Sequence, residues 1–172
     1  MCWACRRSLF LVLTAAWMIL IFWFSAAPAS ESSNMSLTAG KTAARLLVPG
    51  YEDWTEEEQT ALAKRMDHPV RKAAHAGEYA LLGLLILGSL EGICRKGIRR
   101  NAAAWVIATL YAATDEFHQL FVAGRSGQVS DVFLDSAGAA AGILAAAFLV
   151  RLIGRKQDVV GGKRKTGEKS DI

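Results

Sequence analysis

The chain has 172 residues, 52% of them hydrophobic and 21% charged, with a net charge of +4. Its mean hydropathy of +0.23 is high for a soluble domain. The basic excess sits at the flanks of apolar runs, which gives no reason to invoke nucleic acid, and Cys2, Cys5 and Cys94 lack the second pair that a zinc site needs.

A bilayer core needs about 20 apolar residues as helix. Four runs reach that length, at residues 8–27, 73–94, 102–122 and 131–153. The first follows Arg6 and Arg7 and is almost purely apolar from Leu9 through Phe24. A cleaved signal peptide is the alternative here, because Ala27-Pro28-Ala29 resembles a small-residue cleavage site. The run is long for that role, and Pro28 stands just before the cleavage position. Cys2 precedes the run and so is no lipoprotein cysteine.

Residues 28–72 form the one long loop, nearly neutral with seven acids and six bases. It opens with a polar, turn-prone stretch from Pro28 to Ser33. Residues 36–48 have helical spacing, with Leu37, Ala44, Leu47 and Val48 on an apolar side. Thr55 and Glu58 fit a capping box, and Glu56 and Glu57 suit the positive end of a helix dipole. That helix is expected to end near Met66, and Pro69 fits the first turn of the next. The loop is thus expected to hold two short amphipathic helices, facing lipid or substrate.

Positive charge stays cytoplasmic in short flanking segments. Arg6 and Arg7, the turn with Arg95, Lys96, Arg99 and Arg100, and the tail from Arg151 hold thirteen of the twenty basic residues. The expected fold is therefore all-α, a bundle of four transmembrane helices in the plasma membrane with both termini cytoplasmic. Residues 1–154 form the membrane domain. Residues 155–172 are charged, contain Gly161-Gly162 and read as a disordered basic cytoplasmic tail.

In that topology the polar residues of the later spans gather in one outer layer. His75 and Glu78 lie on the second span. Asp115, Glu116, His118 and Gln119 end the third, Arg125 sits in the short loop after it, and Asp131 and Asp135 begin the fourth. Each ionisable group in a span costs about 2.5–3.5 kcal/mol on insertion scales, so a shared polar site is expected. Asp131, Asp135, Gly138 and Gly142 fall on one helical stripe, and the G-x-x-x-G pair permits close helix packing. Arg125 is expected to pair with Asp115, Glu116, Asp131 or Asp135, and Glu91 with Arg95. A divalent metal is chemically reasonable for such a donor set, although no spacing as specific as H-E-x-x-H is present. General acid–base chemistry also fits. Tyr79, Trp105 and Tyr111 read as packing or interfacial residues. No Ser or Cys sits in a recognisable nucleophile elbow.

These residues carry a resemblance. Phe22-Trp23-Phe24-Ser25, His75-Ala76-Gly77-Glu78-Tyr79, Leu82-Gly83, Asp115-Glu116-Phe117-His118-Gln119, Gly124-Arg125-Ser126, Asp131, Asp135, Gly138 and Gly142 together resemble the VanZ-like family of small integral membrane proteins. Some members carry Asn where this chain has Asp135. The resemblance implies an envelope protein whose founding member gives low-level resistance to the glycopeptide teicoplanin, in a family without a settled activity. Membrane lipids, an envelope precursor or a glycopeptide are the partners it suggests. The site would bind or act on such a component. Alternatives are a membrane-embedded enzyme using the acid/His cluster on a lipid-linked substrate, or a small proton-coupled transporter, for which a homo-oligomer could supply more spans.

Overall fold

The computed structural model describes the backbone of residues 3–94 and 97–167, with side chains from residue 4 to 151. Within those residues the fold is all-α. The elements are α1 (Trp3–Ala26), α2 (Ala29–Leu47), a 3-10 turn (Tyr51–Asp53), α3 (Glu56–Ser89), α4 (Ile98–Gln119) and α5 (Val129–Gly167). Two helices are long and apolar enough to cross a membrane by length and composition, over Ala4–Ala26 and Val129–Arg151. The polar residues inside α3 and α4, among them His75, Glu78, Asp115 and Glu116, lower the hydropathy of those two helices. The backbone of α5 is helical to Gly167, past residue 153 and into the stretch read as a disordered tail. Residues 168–172 of that tail lie outside the described residues, as does Cys2.

α1 contains no Gly or Pro and ends where Ala27 precedes Pro28, a position that disfavours helical backbone. α3 is the hub and touches every other helix. At about 1.5 Å per residue, its 34 residues run roughly 50 Å. α1 and α2 lie end to end along it, both antiparallel. Along the C-terminal half of α3, Trp17 donates to the Glu78 carbonyl at 2.9 Å, Thr14 and Ser89 hydroxyls meet at 3.0 Å, and Arg6 pairs with Glu91. Arg95, the expected partner of Glu91, lies outside the described residues.

Along its N-terminal half, α3 pairs with α2 in a hairpin. Arg71 Nη2 donates to Ser33 Oγ at 2.7 Å, Ser36 bonds Asp67, and Gly40 faces Ala63 and Met66. The capping box at Thr55 and Glu58 is formed and starts α3. The helix expected to stop near Met66 instead continues through Pro69. Pro69 has no N–H to give the carbonyl of Arg65. Asp67 and Arg71 bracket it and bind α2, which holds the helix together across that gap. The side of α2 that packs is Ser32, Ser36, Gly40 and Ala44, while Leu46 and Leu47 are exposed. Small residues let the two backbones approach; of the apolar face expected from Leu37, Ala44, Leu47 and Val48, Ala44 packs, Leu37 and Val48 are half-buried and Leu47 turns outward.

α4 runs parallel to α1 and presents Ala104, Ala108 and Ala112, all fully buried, at successive four-residue steps. These meet Ile21, Tyr79, Leu82, Ile86, Ala139 and Ile143 in one core. Trp105 donates to the Ser136 carbonyl at 3.1 Å, and Tyr111 to the Met18 carbonyl at 2.6 Å, tying α4 to both neighbours. α5 lies parallel to α3 in backbone contact. A Cβ on Gly138 would fall 2.3 Å from the Ala76 carbonyl oxygen, and one on Gly142 would fall 2.2 Å from that of Ala80. From the other side, Gly83 approaches the Ala139 carbonyl oxygen at 2.8 Å on the same construction.

Candidate functional site

The helix directions bring four ends together halfway along α3: the C-termini of α1 and α4, and the N-termini of α2 and α5. The loop of residues 120–128 closes over them, with Ala29 N–H donating to the Ala123 carbonyl at 3.2 Å. Gly124 adopts φ 72°, a left-handed turn that suits glycine. Here the α2–α3 hairpin leaves the bundle.

Arg125 is the clasp of this junction. Its Nε donates to the Ala27 carbonyl at 2.9 Å, Nη2 to the Phe24 carbonyl at 3.1 Å and Nη1 to Gln119 Oε1 at 3.3 Å. It therefore caps the C-terminus of α1, where free carbonyls and the helix dipole favour a cation. The carboxylates expected to pair with it do not. Burial is the main influence on its guanidinium and draws its pKa below the usual arginine value; Arg71 adds to this, while Asp115, Glu116 and Glu78 oppose it.

The acids have other partners. Ser25 Oγ donates to Asp115 Oδ2 at 2.7 Å, and Gln119 Nε2 approaches the same oxygen at 3.4 Å. Glu116 Oε2 accepts from the Gln128 backbone N–H at 2.9 Å, beside the start of α5. Asp131 pairs with Lys72 at 2.9 Å. Asp135 is fully buried, and neither of its oxygens has a protein partner. Asp115 Oδ1, Tyr79 Oη and His75 Nδ1 are likewise buried without one. Bare polar groups in such surroundings cost several kcal/mol, roughly 2–7 for a neutral group and more for a charge.

A cavity of about 120 Å³ opens at the junction, with His75, Glu116, Gln119, Arg125 and Asp131 in its wall. At roughly 30 Å³ per liquid water, that is room for a few waters or one small polar group. Not every expected site residue joins it. Asp115, bonded to Gln119, does not line it, and neither does Asp135, one turn further along α5 from Asp131. Glu78 lines a second cavity on the other side of His75. His118 faces α1, its ring 4.4 Å from that of Phe22. Among the described residues, no three His, Cys, Asp or Glu side chains are grouped so as to hold a metal ion.

Several residues of the junction go beyond the site expected from the sequence, where Ser25 figures only in a family motif. Ser25 is the closest partner of Asp115, and His68, Arg71 and Lys72 complete the basic side of the cavity. A signal for the latter exists: His68, Arg71, Lys72 and His75 follow the i, i+3, i+4, i+7 spacing of one helical face. It is visible only once the helix is taken straight through Pro69.

Comparison with characterised proteins and with solved structures gives no match. The VanZ/LLP1 family model matches residues 10–151, from within α1 to within α5, and so spans the whole junction. By that match over most of its length, the chain belongs to the VanZ/LLP1 family.

Proposed function

We propose that this protein is a four-span cell-envelope membrane protein that binds or acts on an envelope component in an outward-facing polar site, with a VanZ-type link to glycopeptide susceptibility. The observation that carries the reading is the open polar cavity at the base of the α2–α3 hairpin, walled by His75, Gln119, Arg125 and Asp131. Exposed apolar side chains at Val12, Ile19, Leu110, Leu144 and Phe148 support lipid around the bundle. The positive-inside bias supports an outer position for the hairpin and cavity.

The test compares cells with and without the gene for teicoplanin susceptibility and for envelope lipid and precursor profiles. Asp131→Asn is carried in parallel, with protein abundance measured on the same cells. The Lys72–Asp131 pair is about one-third exposed on both sides (34% and 27%). Its loss should cost only about 0.2–1 kcal/mol, so abundance should hold. A stable variant without the wild-type phenotype supports a site. A stable variant with full phenotype rules the cavity out as that site.

A further inference from the structure

A second cavity, of about 210 Å³, lies between the end of α1, the first turns of α2 and the middle of α3. Its wall is mostly apolar, with Phe24, Met35, Ala39, Val70 and Ala74. It shares Arg71, His75 and Arg125 with the polar cavity. The two are thus halves of one amphipathic recess, polar on the α5 side and apolar on the α2 side. Basic side chains stand along the seam.

The seam also holds unused hydrogen-bonding capacity. Arg71 spends Nη2 on Asp67 and Ser33, but its Nε is buried without an acceptor, and His75 Nδ1 is buried without a partner. A guanidinium Nε always carries a proton, so an oxygen acceptor is the missing group. The acids of the polar half are already engaged, Asp131 by Lys72 and Glu116 by the Gln128 N–H. An added anion would meet Arg71 and Arg125 beside two partnered acids, and would share the recess with Glu78, whose carboxyl has no ion-pair partner among the described residues. Phosphate oxygens suit arginine donors in particular.

We infer that the recess takes a phosphate-bearing membrane lipid, its headgroup phosphate at the Arg71–His75 seam and the start of its acyl chain among Phe24, Met35 and Ala39. This rests on the outward-facing reading proposed above and names its ligand class. Electrostatic complementarity sets the headgroup, and the adjoining apolar half sets the lipid as source over a free phosphate.

The test uses the purified full-length protein in non-ionic detergent and three probes: dioctanoyl phosphatidic acid, dioctanoylglycerol and glycerol 3-phosphate. Equilibrium binding and the thermal unfolding midpoint are read together. Saturable binding of phosphatidic acid, with the other two at least about tenfold weaker, is expected, since a charge-assisted hydrogen bond is worth about that factor or more. Arg71→Gln should weaken phosphatidic acid binding by about tenfold. Because Arg71 also ties α3 to α2, Ala39→Phe serves as a second variant that fills the apolar half and leaves every charge in place. It should weaken phosphatidic acid and leave glycerol 3-phosphate unchanged. Equal binding of dioctanoylglycerol, equal binding of glycerol 3-phosphate, or full binding by Ala39→Phe overturns the inference. Labelling of Ser126→Cys in intact cells separates the two proposals. A labelled cysteine with no phosphatidic acid binding refutes the lipid alone, whereas a protected cysteine refutes the outward-facing site.

Discussion

Two glycines one helix apart should respond in opposite directions to the same change. At Gly142 a methyl group would lie 2.2 Å from the Ala80 carbonyl oxygen and 2.8 Å from its carbon. Both are backbone atoms of α3, so no side chain can rotate away, and α5 must retreat by about an ångström to reach ordinary contact. Overpacking of this kind costs about 1–3 kcal/mol. At Gly77, in the middle of α3, an added Cβ meets nothing within 4 Å. There alanine brings only its better helix propensity, worth about 0.5–1 kcal/mol. Gly142→Ala should therefore lower, and Gly77→Ala raise or preserve, the unfolding midpoint of the purified protein in detergent. For a chain of this size a kcal/mol corresponds to roughly 2–4 °C, so the two variants should separate by several degrees. If Gly142→Ala melts with or above Gly77→Ala, the backbone contact between α3 and α5 is not as described. The displacement would also draw Asp131 away from Lys72, so the same variant should loosen the polar cavity.

Ser25→Ala should destabilise by about 1–3 kcal/mol, because it removes the nearest donor to a buried Asp115 oxygen; Asp115→Asn on top of it should recover part of the loss, measured by thermal unfolding. Thr55 hydrogen bonds, backbone first, hold Glu58 below its ordinary pKa of 4.5. The stabilisation that follows is fully present above about 4.5, the unfolded-state value, and is lost as pH falls through the lowered folded value, so Glu58→Gln should flatten that acid limb of a melting profile. In intact cells freed of native cysteines, Glu57→Cys should react with an impermeant maleimide and Arg99→Cys should not; the reverse pattern would invert the orientation.

The all-helical class and the family are legible in the sequence because apolar runs and polar motifs are local signals. The capping box is legible for the same reason, since Thr55 and Glu58 find each other within one turn. What escapes is set by contacts distant in sequence. Pro69 reads as a helix start on local grounds, whereas Ser33 and Ser36 on another helix, with the Asp67–Arg71 pair, brace the chain across it. Arg125 reads as a partner for acids because charge is what a sequence displays. Backbone carbonyls at Phe24 and Ala27, which it binds instead, have no signature in the sequence. The packing face of α2 is legible only at Ala44, because close approach otherwise selects Ser32, Ser36 and Gly40 over the more conspicuous Leu47.

The unbroken course of α3 sets the modularity of the molecule. By polarity the chain invites division into a water-soluble hairpin and an apolar bundle, with the cut near Pro69. Such a cut would sever one continuous helix and divide His68 from Arg71, Lys72 and His75, leaving half a recess on each piece. Neither fragment would carry the seam, and relatives that exchanged hairpins by recombination would exchange half of the recess with them. The tolerant place for insertion, tagging or shuffling is the far tip, next to the exposed, left-handed Gly50 between α2 and the 3-10 turn. Length added there leaves the register of α2 against α3 untouched.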